Sequence, residues 1–149
     1  MYWEAVEGAW NSHVEKRNDV TTIDGLPEGT HFEIYTLESL VRSHEKGDAY
    51  HRSEGCSRYV RQHRSEFQVE VLLPRPDCLR PDLRLTVDYP EDLVVCQRLY
   101  EVFRDRAPLV PLDEIVRFLD SRPDLKGLVA PYVDPKPLWL DAPLGGGPL

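Results

Sequence analysis

The segment Arg84-Leu85-Thr86-Val87-Asp88-Tyr89-Pro90-Glu91-Asp92-Leu93 decides how this chain is read. Its alternating start predicts a strand over 83–87, Asp88 marks the turn, and Pro90 falls in the first turn of a helix, where its missing N–H costs little. Asp88 and Glu91 have the spacing of a capping box, with Asp in place of the usual Ser or Thr. A strand that runs through a turn into a helix delivers a carboxylate to the sheet edge where α/β proteins hold ligands and metals. Two readings of Asp88, Glu91 and Asp92 follow. In one they hold a hard divalent cation such as Mg²⁺, with phosphates and water completing the shell. In the other they cap the helix and favour its positive end.

Working outward, Trp3, Val6, Trp10 and Val14 recur at helical spacing and predict an amphipathic helix over 2–16. A short strand over 20–23 and a half-buried strand over 32–35 flank the turn signals Asp24-Gly25 and Pro27-Glu28-Gly29. Thr36 is placed to cap a helix over 37–46 that Gly47 stops, with Leu37, Leu40 and Val41 as its inner face. A short helix is expected over 54–63 and a strand over 69–73, ended by Pro74. In the helix after Asp88 the apolar side comprises Leu93, Cys96, Leu99, Tyr100 and Phe103. Another helix opens at Pro111 and closes at Pro123. The pattern predicts one α/β domain over 1–130, a mixed sheet flanked by helices. The proline and glycine content of 131–149 predicts an irregular tail, in which Trp139 is placed to dock on this chain or on a partner.

Composition excludes several functions. A net charge of −8 with four scattered lysines argues against a nucleic-acid partner, which needs clustered cations. No window supplies the roughly 18 uncharged apolar residues of a membrane span, so a cytoplasmic protein without a membrane partner is expected. Cys56, Cys78 and Cys96 are widely spaced and odd in number, which fits reduced thiols. The histidines match no zinc spacing, no G-x-S-x-G elbow is present, and no glycine-rich phosphate loop can be pointed to. Cys56 lies near Arg52, Arg58 and Arg61, and reads as a small packing residue in a basic helix or as an activated thiol. Arg58 and Arg61 belong to a basic run that either binds phosphate or carboxylate or forms a solvated face.

Four stretches carry a family resemblance: Gly25 to Tyr35, Glu54 to Phe67, Leu83 to Asp88, and Pro90 to Leu93. Over roughly residues 20 to 125 their order resembles the C-terminal half of cytidylyltransferases of the spore-coat-polysaccharide type, relatives of the acylneuraminate and KDO enzymes. That resemblance implies a partial nucleotide-diphospho-sugar-transferase-like fold. It also implies transfer of a nucleotidyl group from CTP to a sugar, with Mg²⁺ held at the position of Asp88. Glu33 and Glu54 match glutamates of the family's catalytic site or its support. The chain departs from the pattern at Gly55-Cys56-Ser57-Arg58, where the family has His-Val-Thr-Pro, at His31 in place of an Asp, and at Tyr89, where a small or hydroxylated residue is usual. The family's nucleotide loop has no counterpart in the chain. A half-enzyme is therefore expected, acting in a homo- or hetero-oligomer with a second chain that supplies the nucleotide-binding half. The alternative is a non-catalytic interaction or regulatory module that keeps the half-fold for subunit pairing.

Overall fold

A computed structural model describes residues 1–52 and 55–140. The chain gathers into two compact units. One comprises Val6–Thr22 and Glu33–Leu72, and the other comprises Met1–Ala5, Ile23–Phe32 and the described residues from Leu73 on.

The first unit is built on a three-stranded sheet of β1 (Val20–Ile23), β2 (Glu33–Tyr35) and β3 (Val69–Leu72), ordered β2-β1-β3. β1 pairs antiparallel with β2, setting Val20 opposite Tyr35 and Thr22 opposite Glu33. As the central strand β1 is buried along its whole length, two threonines included. A buried hydroxyl needs partners, and the Thr21 Oγ1 has them: it accepts from Asn18 Nδ2 and bonds His13 Nδ1, each at 3.0 Å.

Helix α1 (Val6–Lys16) follows a single turn of 3₁₀ helix, Trp3–Ala5. It buries Ala9 and His13, whereas Trp10 and Val14 lie exposed. The expected apolar stripe is therefore split, with Trp3 and Val6 half-buried and Trp10 and Val14 facing out, while His13 turns inward to bond Thr21. Helix α2 (Leu37–Lys46) starts and stops as expected. Thr36 Oγ1 accepts from Ser39 N at 3.1 Å, and the Gly47 N–H closes on Ser43 O.

The inner face of α2 is nevertheless its serine face. Ser39 and Ser43 are buried, while Leu37 is 72% exposed and Leu40 and Val41 are also exposed. The cause is a close approach to the chain at Asp19. Ser39 Oγ donates to Asp19 O, Thr36 N donates to the same carbonyl, and Arg42 grips the Asp19 carboxylate at 2.9 Å. Ser39 is fully buried in that seam and its hydroxyl donates into it. The expected helix over 54–63 is shorter, α3 (Arg58–Gln62), and Glu54 lies outside the described residues.

The second unit is helical: α4 (Pro90–Phe103), α5 (Leu112–Asp120) and α6 (Pro123–Val129). α6 packs on both α4 and α5. α5 buries Leu112, Val116 and Leu119, and Pro123 opens α6 at a position that needs no N–H, as well as ending what precedes it. α4 buries Asp92, Val95 and Leu99, so of its expected apolar side Leu93 and Tyr100 face solvent.

The strand expected over 83–87 shrinks to a single parallel bridge between Arg84 and Glu28. Its partner is a turn and not a strand. Gly29 has φ +86°, and a Cβ there would sit 2.7 Å from the backbone of Leu85, so the two segments touch too closely to extend a ladder. Asp88 therefore follows an extended segment, not the end of a sheet strand. Of the expected tail, the described residues hold one 3₁₀ turn, Ala130–Tyr132, and then no regular element. Pro143, Gly145 to Gly147 and Pro148 lie outside the described residues.

Because α2 packs through serines, Leu37→Gln will leave stability within about 0.5 kcal/mol of the parent, while Ser39→Leu will cost roughly 1–3 kcal/mol by overpacking. Urea unfolding followed by circular dichroism measures both, and the reverse order would show that the leucine face is the packed one.

Candidate functional site

In the helical unit, Arg84 is the centre of a group of carboxylates. Its side chain is 4% exposed. Nε and Nη2 reach the two oxygens of Asp92 at 2.9 and 3.1 Å, Nη1 donates to Glu28 Oε2 at 2.6 Å, and Nη2 also donates to Asp88 Oδ2 at 2.7 Å. Four charge-assisted contacts satisfy a guanidinium that has been taken out of water. They hold its pKa above even the usual arginine value, Asp92 contributing most.

Asp92 is the buried partner, with a side chain 0% exposed. Beyond Arg84, its Oδ2 accepts from the backbone N–H groups of Asp88 and Tyr89, each at 3.0 Å. Burial pushes its pKa up, but the bonds from Arg84 and from the two amides outweigh that and hold the carboxyl below its ordinary value. The helix start is thus closed one residue later than Asp88 and Glu91 suggested, by Asp92 reaching back over Tyr89. The ring of Tyr89 stacks on Tyr132 at 4.1 Å, which gives the large residue at this position a place to lie.

Asp88 is left free of the capping task. Its side chain is 61% exposed. Oδ2 takes Arg84 and the Thr86 hydroxyl, the latter at 3.2 Å, and the other oxygen has no protein partner among the described residues. No group of three His, Cys, Asp or Glu suited to hold a metal ion occurs among the described residues. The donor set therefore does not make a protein cage for a cation. It fits an ion held by one carboxylate and completed by phosphates and water, a common mode for Mg²⁺. Beside Glu28 lies a cleft of about 310 Å³, lined among others by Asp24, Leu26, His31, Lys136 and Leu138.

The remaining expected site residues belong to the sheet unit. Glu33, on β2, accepts from the Tyr35 hydroxyl at 3.0 Å. Burial, then the neighbouring Glu33 charge, pushes the Tyr35 phenol well above its ordinary pKa, so it stays a donor. Arg58 lies over the Tyr50 ring, 4.5 Å from its centroid, and folds across Gly55. A Cβ at residue 55 would fall 2.6 Å from the Arg58 Nε. The Gly55 to Arg58 departure is thus one packing arrangement, in which the glycine makes room for the arginine.

The Nε of Arg61 is buried and has no hydrogen-bond partner among the described residues. Cys56 is exposed, which corrects the packing reading, and it borders a second cleft of about 320 Å³ with Ser43, His44, His51 and Arg52. His51 is held from both sides, by Asp48 Oδ1 and Gln62 Oε1 at 2.7 Å each. Glu33, Arg58 and Arg61 therefore share one unit and Asp88 belongs to the other.

Sequence reasoning read Asp24 and Glu28 only as turn residues and Arg84 only as part of a strand. The only local signal was the i, i+4 spacing of Arg84 to Asp88.

Comparison with known proteins adds one relationship. Over 116 residues, 76% of the chain, the sequence is 30% identical to the spore coat polysaccharide biosynthesis protein SpsF of Bacillus subtilis (strain 168). The match covers 47% of that protein, so the chain spans about half the length of the curated relative it matches. No family model matches the chain, and no solved structure does. The chain is thus a mixed α/β protein distantly related to SpsF, and the resemblance to spore-coat-polysaccharide proteins holds at that level. No helix among the described residues is long and apolar enough to cross a membrane.

Arg84→Met will leave Asp92 buried without its cation, and should destabilise the helical unit by about 3–5 kcal/mol. Because the folded-state pKa of Asp92 is depressed, the stability it contributes is present above the unfolded carboxyl value near pH ~4 and fades as pH falls through the folded value. Chemical unfolding at pH 7 and pH 3 checks both points. In Arg84→Met the acid-side loss should shrink, and an unchanged pH profile would refute the assignment.

Proposed function

We propose that this chain is a cytidylyltransferase-like subunit of polysaccharide biosynthesis. The reading is carried by the 116-residue similarity to SpsF. In this reading a sugar oxygen attacks the α-phosphate of CTP and pyrophosphate leaves. Mg²⁺, when bound, offsets the charge that develops on the phosphate oxygens. Asp88 supplies one oxygen to that ion. Support comes from the division of labour at the start of α4: Asp92 takes the capping bonds, so the exposed Asp88 carboxylate is held in one direction by Arg84 and Thr86 yet keeps an oxygen for a ligand. Glu33 and Glu54 serve the reacting groups or their support, and Arg58 and Arg61 serve the phosphates. The 149 residues contain no glycine-rich phosphate loop. We infer that a second chain completes the nucleotide site.

A second reading is favoured by a separate observation. Trp10, Val14, Leu37 and Val41 lie exposed on two helices of the sheet unit, and apolar side chains left on a surface suit subunit pairing. In that reading the half-fold is kept for assembly, as an interaction or regulatory module in a homo- or hetero-oligomer.

Calorimetric titration of Mg²⁺ with CTP, on the protein together with any chain that co-purifies, separates the two readings. The enzyme reading expects binding that Asp88→Asn weakens at least tenfold, with the metal-free melting temperature unchanged because the Arg84–Asp92 pair is intact. If neither Mg²⁺ nor CTP binds in any assembly, nucleotidyl transfer is ruled out and the pairing role stands.

A further inference from the structure

We propose that residues 134–140 form a detachable strap, latched by Asp24, that builds one wall of the cleft beside Glu28 and opens without unfolding the helices around it. The strap has no ladder to hold it. It contains no helix or strand, and Pro135 and Pro137 bring no N–H. Three of its successive N–H groups converge instead on a single buried carboxylate. Leu138 N reaches Asp24 Oδ1 at 3.2 Å, while Trp139 N and Leu140 N reach Oδ2 at 2.8 and 3.0 Å. The Gly25 N–H adds a fourth bond at 2.9 Å from the turn itself, where Gly25 adopts φ +81°. A run of backbone N–H groups around an anion is a recognised anion-binding geometry, and here the anion is a side chain of the same protein.

Beside the latch, Trp139 is 2% exposed. It inserts an aromatic ring at the point the carboxylate fixes. The helices, by contrast, are held by their own backbone ladders and by packing of α6 on α4 and α5. Release of the strap leaves those contacts in place. What release removes is a wall. The strap contributes Asp134, Lys136 and Leu138 to the lining of the cleft, and the turn contributes Leu26, Glu28 and His31. Because Glu28 also shares Arg84 with Asp88, opening the strap widens the approach to the Arg84 group from the cleft side.

Hydrogen exchange followed by NMR on the full chain tests the proposal directly, since the latched amides are themselves the reporters. The amides of Leu138, Trp139 and Leu140 should exchange at least tenfold faster than the slowest amides of α4 and α5, at rates insensitive to low concentrations of denaturant. In Asp24→Asn these three should exchange at least tenfold faster again, while the α4 and α5 amides keep their rates. Exchange of residues 138–140 together with the slowest core amides in the parent protein would overturn the proposal. So would an Asp24→Asn variant in which the helices lose protection in step with the strap or fail to form, since Asp24 would then be part of the core.

Discussion

The helical unit depends on how one buried guanidinium is satisfied. Arg84 could not leave water alone, because a buried unpaired charge costs several kcal/mol. It does so by binding three separate pieces of chain at once: the turn that carries Glu28, the acidic corner at Asp88, and the first turn of α4 at Asp92. One guanidinium against three carboxylates leaves the group negative. The two outer carboxylates therefore stay at the surface while only Asp92 goes under. The buried partner and the exposed partners thereby acquire different uses. Asp92 holds the backbone of residues 88 and 89, and Asp88 and Glu28 remain available to solvent.

Asp24 repeats the logic with backbone amides in place of a cation among the described residues. Its carboxylate is buried and is met by four backbone N–H groups, one from its own turn and three from residues 138–140. In both places a buried charge organises irregular chain that has no ladder of its own. The turn Gly25–Gly29 can serve both groups because its glycines adopt positive φ and bring backbone against backbone.

The sheet unit is organised differently, by hydroxyls against backbone. Helix α2 meets the carbonyl of Asp19 through Ser39, and α1 meets Thr21 through His13. In α2 the serine face lies inward in place of the apolar stripe, and in α1 the stripe is split. The large apolar side chains left outside, Leu37 and Trp10 among them, are the surfaces that give the assembly reading its weight.

Much was legible in the sequence where the signal is local. Thr36 and Gly47 bounded α2, Val69 to Leu72 formed a strand before Pro74, Pro90 started α4, and Trp139 docked, because caps, prolines and β-branched runs act on their nearest neighbours. The relation to spore-coat-polysaccharide proteins was also readable, since motif order survives in one dimension. What the linear pattern could not carry was the choice of face and of partner. Periodicity marks Leu37, Leu40 and Val41 as a stripe but is silent on the Asp19 carbonyl that draws the opposite face inward. Spacing offered Asp88 and Glu91 as the capping pair, yet a capping carboxylate is chosen by which one a distant cation can neutralise when buried, and Arg84 sits over Asp92. By itself the sequence determined the bounds of the elements that caps and prolines mark, and a distant relation to SpsF. Only the tertiary structure decided which charges are buried and which remain to meet a ligand, because the energy of a buried charge depends on groups far away in the chain.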